Sequence, residues 1–156
     1  MKKLNLSKGG TIFGLLLLLL LTYFRENFLL EINANLAMEV HDRAYSYWLS
    51  IFFKGMTPEL LSQWKWGLTM VFSVTMTFIT ILSLYFWFKS VQMLRVIGLF
   101  YIMLFAIVCL LSLAGFLTNS FNTIYFILRK ILGIVQSPLP FFAFFVLMYW
   151  SVKVEK

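Results

Sequence analysis

The chain has 156 residues, 62% of them hydrophobic and 19% aromatic, with 13 Lys and Arg against 6 Asp and Glu for a formal charge of +7. Soluble domains are about 45–50% apolar, so a water-soluble globule is excluded. The basic residues sit at the ends of apolar runs rather than in a patch with interleaved aromatics, which argues for a membrane and against nucleic acid as a partner.

Four long apolar runs, at about 9–30, 66–88, 94–117 and 131–152, organise the chain. A hydrocarbon core of about 30 Å needs roughly 20 apolar residues as helix, and the runs are too long and continuous for barrel strands. The expected fold is therefore all-α: a single transmembrane domain, a four-helix bundle with both termini inside. An amphipathic interfacial helix is expected between spans one and two, and a proline kink in the last span.

The first run follows Lys2, Lys3 and Lys8, which places the N-terminus inside by the positive-inside rule. Its Leu-rich centre resembles a signal peptide, but Thr22-Tyr23-Phe24-Arg25-Glu26 is no small-residue cleavage site. An uncleaved signal-anchor helix is expected, with cleavage near 34–37 as the alternative. Arg25, Glu26 and Asn27 close this run near the outer boundary, where Arg25 and Glu26 can pair or Arg25 can meet an anionic group.

Residues 31–65 form the outer segment. Tyr45, Trp48, Leu49, Phe52 and Phe53 recur at helical spacing opposite Asp42, Arg43, Ser46, Ser50 and Lys54, the pattern of a helix in the membrane interface. Gly55 ends it. Thr57 then suits an N-cap, Pro58 the first helical position and Glu59 the positive helix end, so a new helix is expected to run straight into span two. Trp64 and Trp66 around Lys65 mark an aromatic belt. His41, the single histidine, reads as a solvated side chain.

Span two carries Thr69, Ser73, Thr77, Thr80 and Ser83. At helical spacing they make a stripe about 120° wide. Hydroxyls of this kind let helices approach closely, so the stripe is a candidate helix-packing face. The inside connection at 89–95 carries Lys89 and Arg95 and no acid. Gly98, Ala106, Cys109, Ser112 and Gly115 in span three are expected to complete the seam. Cys109 lies in an apolar span, which suits a structural rather than a nucleophilic thiol. Being the lone cysteine, it allows no internal disulfide and no thiol-built metal cluster.

Before the last span, Pro138 and Pro140 remove two backbone donors and break or kink the helix. Gln136 and Ser137 could satisfy the carbonyls left free. With Arg25, Glu26, Asn27 and Arg129 they make a candidate outer polar cluster.

Several of these pieces resemble one family. Tyr23-Phe24-Arg25-Glu26-Asn27 closing span one, Ile32-Asn33 after it, Trp64-Lys65-Trp66 opening span two, and Arg129, Gly133 and Gln136-Ser137-Pro138-Leu139-Pro140 before the last span are similar to the small four-span membrane proteins associated with exosortases of the X type in Bacteroidota. The resemblance implies a multi-pass protein of a bacterial inner (plasma) membrane, accessory to a protein-sorting system. It implies the companion and not the enzyme, so catalytic roles do not pass to Cys109, His41 or Arg129. The expected function is thus a non-catalytic membrane subunit without cofactor or metal. Its expected partners are the bilayer and another membrane protein, exosortase-like, or itself. The alternatives are a homo-oligomeric carrier or channel, and a small enzyme acting on a lipophilic substrate.

Overall fold

The computed structural model describes residues 2–37, 51–118 and 121–154. The described residues form α1 (Lys2–Ala37), α2 (Pro58–Phe88), α3 (Val91–Leu117), α4 (Phe121–Val135) and α5 (Leu139–Val154). α1, α2 and α3 are each long and apolar enough to cross a membrane; α4 and α5 pass the same test as a pair, bent by 55° at their break. The molecule is a helical membrane-spanning protein with three spans, or four if the bent pair is one.

Local chemistry sets the helix ends. Thr57 is extended (φ −69°, ψ 153°) and its hydroxyl accepts from the Leu60 N–H, with Pro58 in the first turn and Glu59 beside the positive end. α2 then runs unbroken for 31 residues. It stops at Lys89, which takes the left-handed conformation (φ 51°) with its N–H on the Tyr85 carbonyl. Ser90 follows at once as the N-cap of α3, accepting from the Met93 N–H at 3.4 Å. Gly55, at φ 83°, turns the chain after the helical residues 51–53.

The apolar run of α1 ends near residue 30 but the helix continues to Ala37. Asn27 and Asn35 donate to the carbonyls of Tyr23 and Glu31 one turn back, so these polar side chains stay within the helix.

α1 and α2 pack antiparallel along their lengths. At one end the Thr11 hydroxyl donates to the Ser83 carbonyl at 3.0 Å; further along Phe28 meets Phe72 with ring centres 6.4 Å apart; at the other end Ile32, Phe53 and Leu61 form a small core. The approach is closest at Gly14, where a Cβ would fall 1.8 Å from the Ser83 Oγ and 2.9 Å from its Cβ. The central core joins all five helices through Leu18, Met76, Leu84, Ile97, Tyr101, Val135, Phe141 and Met148. Val108 of α3 packs on Leu128 and Leu132 of α4.

Two sequence expectations change here. Of the small residues of α3, only Gly115 is buried; Ala106 and Cys109 are exposed, and nothing lies near Gly98. The close seam is instead made by Gly10 and Gly14 of α1 against Phe86 and Ser83, where α1 packs on the Ser83 end of the hydroxyl stripe. The last run was placed at 131–152, yet helix begins at Phe121 and breaks between Val135 and Leu139. Most of the expected interfacial helix lies outside the described residues, as do His41, Tyr45, Trp48 and Leu49; of its apolar face, Phe52 is exposed and Phe53 buried.

Candidate functional site: a cationic cleft between α1 and α4

The site begins at the α4–α5 break. Pro138 and Pro140 have no N–H to give to the turn before them. The Ile134 carbonyl is satisfied by Ser137, whose backbone N–H and hydroxyl both donate to it, at 3.1 and 2.7 Å. The Ser137 hydroxyl also accepts from the Leu139 N–H at 3.3 Å, starting α5. Ser137 therefore repairs the carbonyl that Pro138 leaves free, and the Gln136 side chain takes no part in it. Its hydroxyl is committed to the break.

Gln136 is freed for another task. It is 1% exposed, and a buried amide needs partners for both of its ends. The Oε1 accepts from the Arg25 Nε at 2.7 Å. The Nε2 donates to the Thr69 carbonyl at 2.7 Å and to the Ser73 hydroxyl. One side chain thereby ties the break to α1 and α2. Ser73 in turn donates to the Thr69 carbonyl at 2.7 Å, so two donors share that acceptor.

Above this knot a cavity of about 160 Å³ opens between α1 and α4, with α2 as its back wall. Arg25, Glu26 and Asn33 line it from α1, Lys65, Trp66 and Thr69 from α2, and Tyr125 and Arg129 from α4, with Gln136 at its floor. Leu29, Leu30, Leu128 and Leu132 supply apolar wall. Arg25 also meets the Glu26 carboxylate at 3.4 Å, a long contact to a side chain 62% exposed. That is the single ion pair among the described residues. Arg129 is close enough to Arg25 to repel it. Lys65 stands 5.8 Å over the Tyr125 ring, which also meets Trp66 edge-on at 5.8 Å. The cleft thus gathers three cations around one carboxylate.

Of the outer cluster named from sequence, Arg25, Glu26, Arg129 and Gln136 line the cleft; Asn27 and Ser137 do not, since each bonds its own helix. Asn33, Lys65, Trp66 and Tyr125 join the cleft without having been named as site residues. Lys65 and Trp66 were visible only as a belt; their rotation towards α4 is a tertiary fact. In the stripe on α2, Ser73, Thr77, Thr80 and Ser83 are buried and Thr69 is half-buried. Ser83 packs against α1, while Thr69 and Ser73 receive Gln136. Among the described residues, no group of His, Cys, Asp or Glu could hold a metal ion.

Comparison with family models, with curated proteins and with solved structures finds no match to this chain.

Proposed function

We propose that the chain is a non-catalytic, multi-pass subunit of a bacterial inner membrane that uses the α1–α4 cleft to hold an anionic, amphipathic group at the outer membrane boundary. Its resemblance to exosortase-associated proteins makes a membrane-bound sorting enzyme the partner to test. The observation that carries the reading is the Arg25–Gln136–Thr69/Ser73 knot. It fixes one guanidinium at the floor of a cleft that Lys65 and Arg129 make net positive.

Several features support this arrangement in a bilayer. Lys8 lies 5.6 Å from the Trp87 ring at the end of the bundle that carries Lys89 and Arg95, and basic ends favour the inside. From Lys8 to Arg25 the helix rises about 26 Å, close to the hydrocarbon thickness of about 30 Å. Arg25 then sits at the outer boundary and the cleft rises from it into the headgroup layer. The α4–α5 pair reads as a fourth, broken span: Val135, Gln136 and Pro140 are buried at its break, Ile134 and Leu139 are exposed, and Ser137 satisfies the Ile134 carbonyl there, as a membrane requires of free backbone groups.

A binding role rather than a reacting one is supported by how the candidate groups are used. The Ser73 hydroxyl donates to its own helix, Glu26 leans on Arg25, and Cys109 is exposed on α3, outside the cleft lining. The test is to cross-link a tagged copy in its native membranes and identify what purifies with it. Reproducible recovery of a membrane peptidase or transpeptidase, reduced by Arg129→Gln, is expected. Recovery of self-cross-linked copies alone would contradict the subunit reading and favour a homo-oligomeric carrier.

A further inference from the structure

We infer that the α1–α4 cleft is a binding site for the phosphate headgroup of an anionic lipid, with a phosphate monoester favoured over a diester. The inference rests on reading the cleft as an anion site and names its ligand.

Charge comes first. Arg25, Lys65 and Arg129 line the cavity with Glu26 as its only acid, leaving two positive charges (3 − 1 = 2). Among the described residues no carboxylate forms an ion pair with Lys65 or Arg129. Arg25 and Arg129 repel one another across the space. A carboxylate would leave one of the two charges unanswered. A phosphate monoester carries about −1.5 to −2 near neutral pH and three strong acceptor oxygens, which answers both.

Donor geometry points the same way. A guanidinium has five N–H donors. Arg25 uses its Nε on Gln136 and one Nη1 hydrogen on Glu26, so three remain for a ligand while the head itself is held in place. Pre-fixed guanidinium donors suit phosphate recognition.

Depth and shape make the phosphate a lipid's. Asn33 lies eight residues beyond Arg25 on α1, so the cleft extends about 12 Å outward from its floor, enough to cross the headgroup layer of one leaflet, about 5–7 Å deep. Apolar wall from Leu29, Leu30, Leu128 and Leu132 alternates with the charges. The cavity, at about 160 Å³, exceeds what one or two trapped waters need.

The test uses the full chain, purified and equilibrated with mixed vesicles of phosphatidylcholine, phosphatidylglycerol and phosphatidic acid, with retained lipid counted by native mass spectrometry. The expected order of retention is phosphatidic acid, then phosphatidylglycerol, then phosphatidylcholine. Lys65→Gln and Arg129→Gln should each weaken the preference for phosphatidic acid roughly fivefold, while Lys89→Gln with Arg95→Gln at the opposite end leaves it intact. Neither cleft variant removes a bond of the Arg25–Gln136 knot, and an unchanged elution profile and unfolding midpoint check that each is folded. Equal retention of the three lipids would overturn the inference. A second arm asks whether inorganic phosphate slows modification of a cysteine placed at position 33 in a Cys109→Ala chain. Slowing by free phosphate without any lipid preference would overturn the lipid as source and leave the anion site standing; no effect in either arm would overturn both.

Discussion

The Arg25 Nε and the Gln136 Oε1 meet at 2.7 Å across 111 positions of chain. Gln136 is the last residue before the Ser137-Pro138 turn and would be an ordinary helical side chain if α4 ran straight on. The break turns it into a bracket between three helices, and the guanidinium it holds is the floor of the cleft.

Gln136→Leu removes that bracket. Interhelical hydrogen bonds in membranes average about 0.6 kcal/mol, with a maximum near 1.7. Losing the bonds to Arg25, Thr69 and Ser73 is expected to cost about 2 kcal/mol, measured by SDS-induced unfolding in micelles. Gln136→Glu keeps an acceptor for Arg25 but gives up the Nε2 donors and adds a negative charge to the floor. It should lose anion binding more completely than it loses stability.

Gly14→Ala tests the α1–α2 contact. The new methyl would fall on Ser83, at 1.8 Å from Oγ and 2.9 Å from Cβ. Oγ can rotate away but Cβ cannot, so overpacking by about 1–3 kcal/mol is expected. Adding Ser83→Gly leaves the Ser83 Cα at 3.7 Å as the nearest of these atoms, an ordinary contact, and should restore most of the loss. Gly67→Ala, with open space around it, should be neutral or slightly stabilising in the same assay.

Replacing both Pro138 and Pro140 with Ala returns two backbone donors to the break. The helix can then continue, and the 55° bend is expected to shrink. Spin labels at Ile127 and Leu147, both exposed, would report a longer separation. Retention of the original distance would show that the Gln136 bracket, rather than the prolines, holds the bend.

Cys109 is exposed on an apolar helix, so its surroundings in the membrane are acyl chains. Cys109→Ala should change stability by no more than about 0.5 kcal/mol, as for a surface site. In intact membranes a charged thiol reagent should leave the wild-type protein unmodified, because a charged molecule does not enter the acyl layer.

Hydropathy revealed the helical, membrane-spanning class because each run of about 20 apolar residues is a local signal. The start of α2 was legible for the same reason: Thr57, Pro58 and Glu59 are neighbours acting on one helix end. The cleft was legible only in part. Arg25, Glu26, Arg129 and Gln136 stood out as polar groups beside apolar runs, but nothing local ties residue 25 to residue 136. Asn27 and Ser137 looked equivalent to them, yet one faces its own helix and the other mends the break. Lys65 and Tyr125 became cleft residues through the rotation of α2 and α4, which the sequence does not display. The Gly10–Gly14 seam was hidden in a Leu-rich run, although small residues four apart are a recognisable packing signal. α4 escaped notice because Arg129 and Lys130 interrupt its apolar pattern.

The most direct test of the central claim, a cationic cleft opening at the outer boundary, is the labelling rate of Asn33→Cys in a Cys109→Ala chain in sealed, right-side-out membranes. A negatively charged thiol reagent and a positively charged one of similar size are added from outside. The anionic reagent should react at least about tenfold faster, as expected where cations focus the field in a cleft. The advantage should fall with salt and disappear in Lys65→Gln with Arg129→Gln. Labelling only after the membranes are opened, or faster reaction with the cationic reagent, would contradict it.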